Sequence, residues 1–174
     1  MHHCLYCDGF EYAGTRVAAY GRGDKSAELA LMVKHWVADV VACSDGTAVS
    51  EQAAQKLKLF GIPLRAERIL SLRGSKGALS AIDFEDGTEL LLSGMFFSTG
   101  CQQASDLSRS LGCKRGKKGG VVTDPLTEET SVAGVYVAGD VSRDVLLVAV
   151  AIGEGAKAAV AINRALLKRD GLCE

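Results

Sequence analysis

Cys4 and Cys7 stand two residues apart in the opening stretch HHCLYCDGFEYAG. Two thiols at that spacing can close and reopen a disulfide, or supply half of a zinc site. A closed zinc site takes four ligands, and the sequence holds no second CxxC and no spaced pair of histidines. His2 and His3 are adjacent and awkward as joint ligands. Redox chemistry is therefore the first reading and zinc the second, and no metal site is assigned. Asp8 follows Cys7 directly and can exchange a proton with a leaving thiolate; Asp8-Gly9 can equally be only a turn.

A second candidate lies in Gly21-Arg22-Gly23-Asp24-Lys25-Ser26, a GxGxx(small) pattern. The first glycine makes a tight turn, the second lets backbone approach a pyrophosphate, and a small residue in Ser26's place lets helix and strand pack closely. The phosphates would sit on the N-terminus of the helix opened by Asp24, where free N–H groups favour anions. Without a ligand, the same residues make a strand-to-helix turn. Asp45 is placed to take an adenosine ribose 2′-hydroxyl, which favours NAD(H) over NADP(H); it also forms the turn dipeptide Asp45-Gly46. Thr99-Gly100 ends another strand. Gly139-Asp140 closes an apolar run, where an aspartate can accept hydrogen bonds from ribose or ribitol hydroxyls, or can simply start a helix.

These residues need elements to hold them. Residues 17–20 read as a strand, 24–36 as a helix with apolar positions at helical spacing, and 40–43 as a parallel second strand, together one βαβ unit. Trp36 reads as core-facing and His35 as exposed. A second helix is predicted over 49–60, between Ser50 and Gly61. The segment from Ile62 to Gly74 has β-like runs. A hairpin over 79–84 and 89–92 turns at Asp86-Gly87, and 95–98 forms a further strand. Residues 113–122, basic and glycine-rich, read as a loop or hinge. Residues 135–138 read as a buried strand and 145–167 as a long helix.

Composition narrows the function classes. The chain has 174 residues, 48% of them apolar and 24% charged, and 20 Lys+Arg against 21 Asp+Glu leave a net charge of −1. That balance offers no basic footprint for nucleic acid or an anionic membrane. No apolar run is long enough to span a bilayer, and the start is polar and aromatic rather than signal-like, so the chain is placed in the cytoplasm. Of the six cysteines, only Cys4 and Cys7 have motif spacing. Cys43 reads as a buried inert thiol, Cys101 and Cys113 as surface thiols flanking a short helix, and Cys173 as part of a frayed terminus.

Taken in order, CLYCDG, VAAYGRGDKSAELAL and TSVAGVYVAGDVSRDVLLVAVAIGEGAKAAVAINRAL resemble the thioredoxin reductase family of flavin-dependent pyridine nucleotide-disulfide oxidoreductases. With an aromatic inside the CxxC, the chain also resembles the branch containing the dithiol oxidases of disulfide natural products. The resemblance implies an α/β fold: a Rossmann-like nucleotide-binding domain with a β-hairpin insertion, plus the C-terminal strand–helix segment of a second, FAD-type domain. It divides the chain into a redox segment (1–14), an NAD(P)-binding domain (15–100), a linker or hinge (101–120) and a flavin-domain segment (121–174).

By the same resemblance, Cys4 and Cys7 match the redox pair and Asp8 the assisting acid. Gly21, Gly23, Asp24 and Ser26 fall in the nucleotide loop, with Asp45 and Gly100 at neighbouring strand ends. Gly139 and Asp140 match the flavin ribityl site. FAD and NAD(P)H are the implied cofactors. Ser44, Asp45 and Gly46 replace the arginines of NADPH-using members, which tilts the preference to NADH. Leu146-Leu147 replaces an Arg-Gln pair near the flavin ring. The implied substrate is a thioredoxin-like protein or a small disulfide or dithiol. Family members begin with a flavin domain before the cysteine pair, and this sequence shows none. The expectation is a homodimer, a partner supplying that half, or a C-terminal segment folded back, because an uncovered sheet edge and apolar helix face favour association.

Overall fold

The computed structural model of the chain describes residues 1–142 and 145–172. Cys173 lies outside the described residues. The chain divides into two compact units, Met1–Gly100 and Cys101–Glu174.

In the first unit a one-turn helix, α1 (Leu5–Asp8), and a 3₁₀ turn (Gly9–Tyr12) lead into β1 (Arg16–Tyr20). Then come α2 (Asp24–Lys34), β2 (Asp39–Cys43), α3 (Glu51–Leu59) and the two-residue β3 (Leu64–Arg65). The antiparallel strands β4 (Ile69–Ser75), β5 (Ala78–Phe84) and β6 (Glu89–Leu91) follow, and β7 (Gly94–Phe97) closes the unit. Strands β3, β2, β1 and β7, in that order, form a parallel sheet, with Val17 paired to both Val40 and Gly94. Strands β4, β5 and β6 form a separate antiparallel sheet.

The near-continuous apolar runs of β1 and β2 follow from burial on both faces. Val17, Ala19, Val40, Ala42 and Phe96 point to the side covered by α2 and α3, where Ala27, Ala30, Val33 and Leu57 meet them. Ala18, Val41, Cys43 and Met95 point to the other side, against Ile82 and Phe84 of the hairpin sheet. Alternation within each strand sends its neighbours to opposite layers. The Ser50 hydroxyl accepts the Ala53 amide at 3.2 Å and starts α3, while Gly61, at φ +62°, turns the chain out of it.

One expectation in this unit fails locally. α2 ends at Lys34, and Trp36, placed beyond it, is 36% exposed rather than core-facing. Val37 takes the buried position at this corner.

The second unit holds α4 (Leu107–Ser110), a 3₁₀ turn (Gly139–Val141) and the long α5 (Val148–Arg169). Its β structure, among the described residues, consists of single bridges: Arg115 with Val121, Thr123 with Thr130, and Glu129 with Tyr136. The strand expected at 135–138 is therefore extended chain with one bridge and half-buried side chains. An apolar run predicts burial, but a strand also needs a continuous ladder, and Glu129 alone pairs here. The stretch expected as a hinge folds as part of the second unit. Gly112 and Gly119 turn it at positive φ, Cys113 and Val121 are buried, and the Lys114 amide donates to the Ser131 hydroxyl. Cys113 is thus no surface thiol: its sulfur lies 3.6 Å from the Thr130 hydroxyl. Among the described residues no helix is long and apolar enough to cross a membrane.

Candidate functional site

Cys4 and Cys7 are joined in a disulfide, with Cα atoms 5.3 Å apart. One helical turn holds them, and the Cys7 amide donates to the Cys4 sulfur at 3.1 Å. Cys7 is exposed and Cys4 only half so, which makes Cys7 the more accessible sulfur. The turn is anchored from beneath: Leu5 enters the core, and Gly9 sits so close that a β-carbon there would lie 3.0 Å from Leu5 and 3.4 Å from Trp36. The exposed Trp36 takes the edge of Tyr6 at 6.0 Å between ring centres.

His2 ties this corner to the sheet. Its amide donates to the Met95 carbonyl at 2.8 Å, and its carbonyl accepts the Phe97 amide at 3.0 Å. Its ring packs by Tyr12 and Phe96, with centres 5.0 Å and 5.6 Å away. His2 Nδ1 lies 3.1 Å from the Asp8 carboxylate and Nε2 lies 2.7 Å from the Tyr12 hydroxyl. Tyr12 fits because residue 94 is glycine; a β-carbon there would stand 2.3 Å from its ring.

The glycine loop lies at the C-terminal end of β1, between that strand and β7. Here the chain order of the parallel sheet reverses, where α/β sheets open a ligand crevice. Gly21 is required by contact, since a β-carbon would stand 2.8 Å from the Ser26 amide nitrogen. Gly23, at φ +58°, precedes α2, and no side chain caps the helix there. Ser26 is fully buried and bonds back to the Gly23 carbonyl at 2.8 Å. Tyr20, Arg22, Lys25, Ser98 and Thr99 line a crevice of about 270 Å³. A glycine cradle, uncapped helix amides and two cations together suit a diphosphate.

Other predicted residues are occupied within the fold. Asp24 accepts the Ser50 amide at 2.7 Å, and that hydrogen bond holds its carboxyl below the usual range. Asp45, in the left-handed region at φ +51°, accepts the Tyr20 hydroxyl at 3.0 Å and the Ile69 amide at 2.9 Å. Burial first, and then the Asp45 bond, push the Tyr20 phenol up. Gly100, at φ +85°, follows β7 with open space around it. Cys43 is buried, and desolvation pushes its thiol up to about 12.

The second unit carries Gly139 and Asp140 by themselves. Gly139, at φ +78°, donates its amide to the buried Glu154 carboxylate of α5, and Asp140 is exposed on the following turn. An exposed acceptor after a tight glycine suits a polyol hydroxyl. Among the described residues no cluster of His, Cys, Asp or Glu could hold a metal ion.

Sequence reasoning missed His2 as the partner of Asp8, Tyr12 as the partner of His2, and Arg22, Lys25, Ser98 and Thr99 as crevice walls. The signal for the lysine and arginine was present, since both sit inside the glycine motif.

Over residues 7–155 the chain matches the pyridine nucleotide-disulphide oxidoreductase family. It is 27% identical to an alkyl hydroperoxide reductase component of Pseudomonas putida, over 91% of this chain and 32% of that protein. It is 27% identical to the thioredoxin reductase sirT of Leptosphaeria maculans, over 98% of this chain and 56% of that protein. The crystal structure of a putative thioredoxin reductase, TrxB, from Bacillus anthracis superposes with a TM-score of 0.88 at 26% identity, covering 97% of this chain and 56% of that one. The chain therefore spans between about a third and a little over half of these relatives. With its parallel α/β sheet, glycine loop and CxxC disulfide, the chain belongs to the pyridine nucleotide-disulphide oxidoreductase family and is similar to thioredoxin reductases.

Proposed function

We propose that the chain takes part in two-electron transfer between a nicotinamide dinucleotide and the Cys4–Cys7 disulfide, and from the reduced pair to a thioredoxin-like protein or small disulfide. The observation that carries this is the exposed Cys4–Cys7 bond, docked by His2 on the same sheet whose switch point holds the glycine crevice. The Gly21–Gly23 backbone, with Arg22 and Lys25, would hold the dinucleotide phosphates. Asp45 in place of a cation disfavours a 2′-phosphate, which supports NADH. Asp140 would accept from the ribityl hydroxyls of FAD. A bound flavin supplies the two-electron reservoir between nicotinamide and disulfide.

The protein's own residues then manage sulfur and protons. Once the pair is reduced, the accessible Cys7 thiolate attacks one sulfur of the substrate disulfide, and the other substrate sulfur leaves as a thiolate. Cys4, held as a thiolate by the Cys7 amide, then attacks Cys7 in the mixed disulfide, re-forming Cys4–Cys7 and releasing the second substrate sulfur. Asp8 serves the proton transfers. The assembly that turns over is read as a homodimer. The test is to supply FAD and either NADH or NADPH anaerobically, and to count Cys4 and Cys7 thiols by alkylation and mass mapping. Thiols appearing with NADH, and lost in Gly21→Val, support the reading.

A second reading, dithiol oxidation with electrons passing from the pair toward oxygen, draws on Asp45: both its oxygens already serve Tyr20 and Ile69. It predicts no nucleotide response and oxygen uptake with a dithiol.

A further inference from the structure

Asp8 handles the protons of the proposed reaction, and something must hold it and reload it. It ends a one-turn helix at the surface, where a carboxylate alone would sample many positions. Here it is bound to an imidazole whose backbone on both sides is hydrogen-bonded to β7 and whose other nitrogen meets a tyrosine hydroxyl. We infer that His2 is a positioning residue of the disulfide site, fixing Asp8 and passing protons to it through a Tyr12–His2–Asp8 chain. This inference rests on Cys4–Cys7 being a working redox pair.

The geometry is satisfied in both protonation states. As imidazolium, His2 donates from Nδ1 to Asp8 and from Nε2 to the Tyr12 oxygen. Once Nδ1 has given its proton to Asp8, the neutral imidazole keeps Nε2–H toward the Tyr12 oxygen, and Nδ1 accepts from the Asp8 carboxyl. No atom is left unpaired by the transfer. The groups facing the ring are Asp8 from the end of α1 and Tyr12 from the 3₁₀ turn; β7 presents only the apolar Phe96.

Reduction by a dithiol runs through two exchanges. One substrate thiolate attacks Cys7 Sγ, the Cys4–Cys7 bond breaks, a mixed disulfide forms, and Cys4 departs with the electron pair. Asp8 protonates that thiolate and is recharged from His2 Nδ1. The second substrate thiol gives its proton back to the Asp8–His2 pair as its sulfur attacks the mixed disulfide and expels Cys7. The dithiol leaves as a disulfide, two electrons and one proton having passed to the cysteines. Cys7 departs as a thiolate and takes its proton from solvent, which received one when the first substrate thiol ionised.

The experiment follows reduction of the oxidised chain by dithiothreitol from pH 5 to 9, with the rate constant divided by the thiolate fraction of the reagent. If the imidazole supplies the proton, the corrected constant is expected to fall by about tenfold between the acid and the alkaline end of this range. His2→Asn keeps a donor toward Asp8 but cannot titrate, and should flatten the profile. Asp8→Asn should flatten it as well. Tyr12→Phe keeps the ring and removes the hydroxyl that meets Nε2, so the pH dependence should weaken; an unchanged profile removes Tyr12 from the chain. Wild-type pH dependence retained in His2→Asn overturns the inference while leaving the redox reading intact. A bond that dithiothreitol cannot open, or that does not re-form with oxidised glutathione, overturns the redox reading and this inference with it.

Discussion

In residues 1–100 the large buried side chains are aromatic and aliphatic: Phe84, Phe96, Leu57, Ile82 and the valines of β1, α2 and β2. In the second unit the described buried residues are small or charged, with Cys113, Val121 and Ala158 beside Glu128 and Glu154. Its apolar side chains instead face outward along α5, with Val148 76% exposed, Ile152 68% and Val160 53%. The first unit is held by apolar burial from both faces of a sheet. The second is held by hydrogen-bonded turns and by carboxylates anchored to α5: Glu128 pairs with Lys157 and takes the Thr123 hydroxyl, and Glu154 takes the Gly139 amide. The two units therefore carry their stabilising contacts in different chemistry.

The sharpest way to break this contrast is a pair of truncations. Phe96→Ala removes a ring packed against Tyr12 and His2 in the first core, and should cost about 3–5 kcal/mol in urea unfolding followed by Trp36 fluorescence. Ile152→Ala removes a side chain already in solvent and should change stability by less than about 0.5 kcal/mol. Equal costs would mean that the α5 face is covered in solution, and the contrast between the units would fall.

A middle-sized effect tests the polar half. Glu154→Ala leaves the Gly139 amide without its acceptor, a loss on the order of 1–3 kcal/mol local to the glycine turn. Hydrogen exchange at residue 139 should accelerate accordingly while β1 and β2 amides stay protected. Glu154→Gln, which keeps a carbonyl oxygen, should recover most of that protection. If Glu154→Ala leaves exchange at 139 unchanged, the carboxylate is not what holds the turn.

The same contrast explains what can be read from sequence. The order of strands and helices in the first unit is legible because its signals are local: RVAAY and DVVAC are apolar on both faces, and Gly21, Ser50 and Gly61 punctuate them. The glycine loop is legible for the same reason. The extended stretch at 135–138 reads as a strand, wrongly, because an apolar run reports burial and not which neighbour supplies a ladder. Asp45 reads as a ligand contact or a turn, and its bonds to Tyr20 and Ile69 span 25 and 24 residues, beyond any local pattern. His2, Asp8 and Tyr12 meet only because β7, more than eighty residues on, fixes the backbone of His2.

The smallest effect concerns acid. Each unit has an aspartate whose carboxyl is held below its ordinary 3.8 by backbone amides: Asp24 by Ser50, and Asp124 by Leu126 and Thr127. A lowered folded value means that each contribution is fully present above the unfolded value and is lost as pH falls through the folded one. Both groups are fully exposed, so each contribution is modest and screened by salt. The units should still differ in response. In the first, the apolar core keeps β1 and β2 in place after Asp24 protonates. In the second, protonating Asp124 releases the turn that sets Glu128 against Lys157, and little apolar burial remains to hold it. Exchange mapped between pH 5 and 2.5, corrected for intrinsic rates, should show residues 124–130 opening before β1 and β2. Asp124→Ala should open them already at neutral pH, and the further acid-dependent opening of that turn should shrink. Simultaneous opening of both units would mean that they share one stabilising core.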